Sequence, residues 1–305
     1  MSQTLKDVYA SVTNTIIAAL EAGTPPWVPP WQSGSGDHVP ANLASGRRYR
    51  GINVLLLNLR AMHCGYARNR WLTYQQAKAL GAQVRKGEHG TEVVFFKMLE
   101  IGAGADGAAK QADDPKVIPL IRSFTVFNAD QISGLPQSLI PEPVVIHEWD
   151  ACDMAEIIIR HSGADVRHGG ARAFYSPSQD CIQLPERSAF VDATRYYQVA
   201  LHELTHWTGA EKRCNRPLLS RQHIESYAFE ELVAEMGSAF LTDQCGLPGV
   251  LHHASYIESW LQALRNDKRL IFSAASQAQK AADFLLPPQA EDAAMAVDSD
   301  QALAA

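Results

Sequence analysis

Apolar positions recur at helical spacing at the start of the chain. Leu5, Val8, Tyr9, Val12, Ile16, Ala19 and Leu20, followed by Gly23, predict an amphipathic helix with a glycine stop. The extended segment Thr24-Pro25-Pro26-Trp27-Val28-Pro29-Pro30-Trp31 reads as a strap packed on a domain, in preference to a polyproline-type partner motif. Asn53 to Cys64 and Thr73 to Leu80 read as helices, the second capped by Thr73. Thr91 to Leu99 and Val117 to Phe127 read as strands joined by a mobile Gly/Ala/Asp-rich loop from Gly102 to Pro115. The turn-rich run Ser133-Gly134-Leu135-Pro136 and then Pro141-Glu142-Pro143 marks a linker.

Beyond it, Asp150 to His161 predicts a helix, and residues 173–176 and 181–184 predict two short strands around Pro177-Ser178-Gln179-Asp180. A helix follows with Asp192 as N-cap, an apolar stripe of Tyr197, Ala200, Leu201 and Leu204, and Gly209 as stop. Another runs from Ser226 as cap to Leu241, closed by Gly246 and Pro248. Residues 252–261 and 273–286 predict two more helices, and 287–305 an acidic disordered tail. The expected fold class is α+β in two domains: a small-sheet α+β domain over 1–140 and a mainly helical one over 141–286.

Composition narrows this. A chain of 305 residues, 46% hydrophobic and 20% charged, is globular, and its densest apolar run, Val54 to Leu57, is far short of a bilayer span. Five scattered cysteines read as reduced thiols of a cytoplasmic protein. The net charge of -6 is uneven: residues 1–140 carry 14 Lys and Arg against 10 Asp and Glu, and the remainder 13 against 23. Each part is therefore expected to meet a different kind of partner.

The sharpest chemistry is His202-Glu203-Leu204-Thr205-His206. Histidines four apart on a helix share a face, so both imidazoles can address one ion while Glu203 stands beside it as general base toward a water. Two histidines leave such a site one protein ligand short. Glu231 and Glu235, an i,i+4 carboxylate pair one helix downstream, repel each other unless a positive group lies between. Glu231 is therefore the expected third ligand and Glu235 the outer carboxylate that fixes a histidine tautomer, with Glu230 competing for the ligand role. The ion expected is zinc, with another divalent transition ion such as Mn2+ as alternative. Tyr227 and His253 are candidates for stabilising an oxyanion, each also readable as an ordinary packed residue.

From Gly46 to Lys97 ten Lys and Arg face only two acids, with aromatic residues interleaved. Cations for phosphates beside rings for unpaired bases are what single-stranded DNA binding needs. The candidates are Arg47, Arg48, Tyr49, Arg50, Asn53, Arg70, Trp71, Arg85 and Lys86, against the alternative of a solvated surface with core aromatics.

The segments Leu20 to Trp27, Tyr49-Arg50-Gly51-Ile52-Asn53, Phe127-Asn128-Ala129-Asp130-Gln131, His202 to Gly209 and Glu230 to Glu235 together resemble the ArdC-type antirestriction proteins of conjugative plasmids, over nearly the whole chain. The resemblance implies an N-terminal single-stranded DNA-binding domain, shared with plasmid primases of the TraC type, and a zincin-like metallopeptidase domain. It also implies protection of transferred plasmid DNA from host restriction. Two functions fit: a DNA-binding zinc peptidase acting on a host restriction component, or a non-enzymatic protective DNA-binding protein with a structural or vestigial metal site.

Overall fold

The four-residue apolar run at 54–57 is buried on a helix whose first residues grip a sheet edge. The structure, a computed structural model, describes residues 5–23, 25–27, 39–101, 116–139, 148–216, 224–247 and 256–287. They fall into two compact units, the first holding the described residues up to 139 together with Leu264–Ile271, the second 148–263 and those from 272 onward.

In the first unit α1 (Leu5–Glu21) buries Val8, Val12, Ile16, Ile17 and Leu20, and the buried hydroxyl of Thr13 donates to the Lys268 carbonyl at 2.6 Å. Trp27 is buried, as a packed strap requires; Trp31 lies outside the described residues. A four-stranded sheet follows in the order β1 (Ala41–Asn42), β2 (Arg70–Thr73), β5 (Lys116–Asn128), β4 (Thr91–Ile101). β4 and β5 form one long antiparallel ladder from Thr91↔Val126 to Ile101↔Lys116, and the expected loop over 102–115 lies outside the described residues.

Helix α2 (Ile52–Cys64) buries Val54 to Leu57 and stops at Gly65, whose φ of 64° is the left-handed conformation glycine takes without a Cβ penalty. At its start Asn53 accepts from Val94 N at 2.7 Å and donates to Val94 O at 2.8 Å. One side chain thus satisfies the outward-facing backbone of an edge strand.

A core of Leu43, Leu72, Ala77, Ala82, Val84, Ala129 and Ile132 gathers α3 (Tyr74–Ala79) and the small β3 (Gln83–Val84) and β6 (Ile132–Ser133) pair. Thr73 caps α3 in a capping box with Gln76, as its sequence predicts. The Phe127-Asn128-Ala129-Asp130-Gln131 motif is a structural staple. Asn128 caps a single 3-10 turn, and Asp130 accepts from Ala67 N at 2.6 Å and Arg68 Nη1 at 2.7 Å.

In the second unit α4 (Glu148–Ser162) precedes a sheet ordered β7 (Asp165–His168), β9 (Cys181–Leu184), β8 (Phe174–Ser176). The β8–β9 hairpin is where the sequence places it; β7, parallel to β9, was not expected. Helix α5 (Ala193–Thr208) starts from Asp192, whose carboxylate accepts from Arg195 N at 2.7 Å, and ends at Gly209. Helix α6 (Ile224–Cys245) begins two residues before Ser226, so Ser226 is not its cap. Leu232, Val233, Ala234 and Met236 are all buried, and so are Glu230, Glu231 and Glu235, which makes α6 a central helix enclosed on every side, carboxylates included.

Of the remaining helices, α7 is described over Ile257–Asn266, the first part of the expected 252–261 helix lying outside the described residues, and α8 (Leu270–Leu285) packs Ala274, Ala275, Ala278, Ala281 and Ala282 inward. The expected tail over 288–305 lies outside the described residues. Among the described residues no helix is long and apolar enough to cross a membrane, and the four cysteines whose side chains are described are free thiols.

Candidate metal centre

α5 presents His202 and His206 from its C-terminal half, one turn apart, with ring centroids 4.9 Å apart and ring planes at 82°. Glu231 enters from α6. Its Oε2 lies 3.6 Å from His202 Nε2 and its Oε1 3.7 Å from His206 Nε2. One donor atom from each residue lies within 4.8 Å of the others. Ligands of a tetrahedral ion with bonds of about 2.1 Å sit roughly 3.4 Å from one another, close to the two separations from Glu231, so the three residues fit the donor set of a divalent ion.

The surrounding charges fit it too. Burial pushes the His206 imidazole down, but the carboxylates of Glu230, Glu231 and Glu203 outweigh it and hold the group up at about 9. Burial pushes Glu231 up, and the two imidazoles with a hydrogen bond from Tyr227 outweigh that, bringing it to about 2. The cluster is a largely buried, electronegative group of side chains that favours a cation.

The carboxylate on the far ring nitrogen of His206 is Glu230, with Oε1 3.1 Å from Nδ1, while Glu235 is buried one turn further along α6. Tyr227 hydrogen-bonds Glu231 beside the two imidazoles, and His253 lies outside the described residues. Sequence reading missed Arg216. Its guanidinium meets Glu230 through Nε at 2.9 Å and Nη2 at 2.8 Å, both groups buried. An isolated arginine after a helix stop carries no local signal of such a role.

Glu203, also buried, accepts from the backbone N–H of Tyr175 in β8 at 2.9 Å. That hairpin is itself fastened. Asp180, at the φ 51° corner of the turn, accepts from Tyr175 Oη at 2.9 Å and pairs with Lys212 and Arg213 at 2.7 and 2.5 Å. Arg213 also lies over the Trp207 ring, its Cζ 3.8 Å from the centroid, and donates to the Trp207 carbonyl. The loop after α5 is thereby tied to the strand that holds Glu203.

The DNA candidates divide. Arg47, Arg48, Arg50, Arg85 and Lys86 are exposed, though Arg85 pairs with Glu88 at 2.8 Å. Trp71 is fully buried in central strand β2 with its Nε1 donating to Asn69 at 2.8 Å, so it offers no ring to a base. Asn53 is committed to β4 as described, and Arg70 Nη1 donates to the carbonyls of Val39 and Asn69. Tyr49 is half-buried, and that burial pushes its hydroxyl up.

Comparison with known proteins matches residues 6–127 to the N-terminal domain of anti-restriction factor ArdC and residues 153–277 to the zincin-like metallopeptidase family. The chain is 43% identical over 293 residues to the uncharacterized protein y4eC of Sinorhizobium fredii, covering 95% of this chain and 94% of that protein. It is 42% identical over 302 residues to a DNA primase TraC of Escherichia coli, of which it spans only 28%. Among solved structures it is similar to the antirestriction protein ArdC of plasmid R388, in a metal-free crystal form at 44% identity and TM-score 0.75, covering 92% of this chain and 96% of that one. A Mn(II)-bound form is similar at 43% identity and TM-score 0.73, covering 92% and 97%.

Proposed function

The chain belongs to the ArdC family of antirestriction proteins, and from that premise we propose that it binds single-stranded DNA through residues 1–140 and carries a zinc peptidase site within 141–286. In this reading it protects incoming plasmid DNA in the recipient cytoplasm, with a host restriction component as the peptidase target. The observation that carries the peptidase part is the convergence of His202, His206 and Glu231 beside a buried Glu203. His202, His206 and Glu231 would hold the zinc, and Mn2+ would suit the same donors. When bound, the ion supplies Lewis acidity.

The chain's own residues do the rest. Glu203 takes a proton from the attacking water and returns it to the leaving amine, its orientation fixed by the Tyr175 N–H on one carboxylate oxygen. β8 is an outer strand of its sheet, so an extended peptide can lie along it next to Glu203. For DNA, exposed Arg47, Arg48 and Arg50 supply phosphate contacts.

The test is Glu203→Gln, isosteric and outside the ligand set. It should retain the ion and DNA binding and lose both proteolysis and antirestriction in a plasmid-transfer assay. Full protection by the variant would refute a proteolytic mechanism and leave non-enzymatic shielding of the transferred strand.

A further inference from the structure

The chain reverses at the end of α5. Cys214 N donates to Thr208 O at 2.8 Å, Asn215 turns at φ 49° with its N–H on Ala210 O, and Arg216 N donates to Gly209 O at 2.9 Å. This fold-back aims Arg216 inward. Its side chain is buried with every nitrogen engaged: Nε and Nη2 on the two oxygens of Glu230, Nη1 on Thr208 Oγ1 at 2.8 Å, and Nη2 also on Thr205 O at 2.7 Å. Two of its partners are in the last turns of α5 and one is in α6. Glu230 Oε1, so held, faces His206 Nδ1.

We infer that Arg216 is a positioning residue for the metal ligands, a role that rests on reading His202, His206 and Glu231 as a metal centre. It acts in three ways. By filling both oxygens of Glu230 it withholds that carboxylate from the ion and leaves the adjacent Glu231 as ligand. Through Glu230 it holds a proton of His206 on Nδ1, which leaves Nε2, on the side of Glu231, as the nitrogen for the ion. It also joins α5 to α6, so the ligands are in place before an ion arrives. Lysine, a point charge without the fork, cannot reproduce this set.

The experiment compares the full chain with Arg216→Met, Glu230→Gln and the two combined. The affinity for Zn2+ is measured by chelator competition, and the His206 tautomer by imidazole 15N shifts. Arg216→Met is expected to weaken Zn2+ binding about 10- to 100-fold and to replace the Nδ1–H signature with mixed tautomers. The combined variant should bind no more weakly than Glu230→Gln alone. If Arg216→Met does not fold because it strands a buried carboxylate, the combined variant, which leaves neither charge unpaired, carries the comparison and should show the same loss. A folded variant with wild-type tautomer and a Kd within about threefold of wild type overturns the assignment of Arg216 alone. A wild-type chain that takes up no ion, or whose uptake survives His202→Ala with His206→Ala, overturns the metal-centre reading and the role of Arg216 with it.

Discussion

Replacing Gly237 by alanine should separate the two ligand-bearing helices. A Cβ built at Gly237 on α6 would stand 2.5 Å from Thr205 Cγ2, 3.0 Å from its Oγ1 and 3.4 Å from its Cβ. Moving the closest of these to 3.4 Å, where ordinary contact begins, needs a shift of about 0.9 Å. Thr205 cannot easily give way, because it is fully buried and its hydroxyl donates to Leu201 O at 2.8 Å. Overpacking of this kind costs about 1–3 kcal/mol, and the gain in helix propensity from Gly to Ala returns about 1 kcal/mol. The net loss of about 1 kcal/mol should lower Tm by roughly 2–4 °C.

Metal affinity is the more sensitive readout. Thr205 adjoins His206, and the separations of 3.6 and 3.7 Å from Glu231 to the two imidazoles leave little slack for ions whose bonds vary by about 0.2 Å. Zn2+ binding should therefore fall by more than about tenfold, as a misplacement near 1 Å does at other preorganised sites. Adding Thr205→Ala removes Cγ2 and Oγ1 and leaves only the ordinary 3.4 Å contact, so the combined variant should recover most of the affinity. Gly237→Ala that raises Tm and binds Zn2+ like the wild type would refute the close-approach argument.

Four further outcomes follow from the same structure. Changing His202 and His206 together to alanine should abolish metal uptake, read by elemental analysis of the purified protein; stoichiometric metal in that variant would exclude these ligands. Trp71→Ala should lower stability by about 3–5 kcal/mol in denaturant unfolding, because it empties a core site. Changing Arg47, Arg48 and Arg50 to glutamate should instead leave stability nearly unchanged and flatten the salt dependence of single-stranded DNA binding by about 2 in log–log slope. An unaltered slope would remove them from the interface. Arg213 first, against a smaller opposing effect of burial, and then Lys212 and Tyr175 hold the Asp180 carboxyl well below its usual range. Its contribution is therefore complete above about pH 4 and lost as pH falls further, so Arg213→Met should flatten the acid limb of a Tm against pH curve.

What could be read along the chain was what local spacing decides. The pentad at 202–206 declares its own geometry, because Asp192 and Gly209 bound a helix and i,i+4 sets both imidazoles on one face. The strand character of β4 and β5 and the cap at Thr73 are equally local. β7 was illegible because Asp165 to His168 buries no side chain; it is a strand because β9 offers an edge to pair with.

Trp71 shows a different limit. Arginine beside tryptophan looks the same in a binding groove and in a core, and only the position of β2 between β1 and β5 decides. The choice among Glu230, Glu231 and Glu235 depends on how α6 is rolled against α5. That roll is set by a glycine six residues after Glu231 and by an arginine delivered through a chain reversal, neither visible from the helix that bears the carboxylates. A like-charged i,i+4 pair implies that a cation is near without saying which carboxylate meets it. Here Arg216 takes Glu230, and Glu231 is the carboxylate left to face His202 and His206.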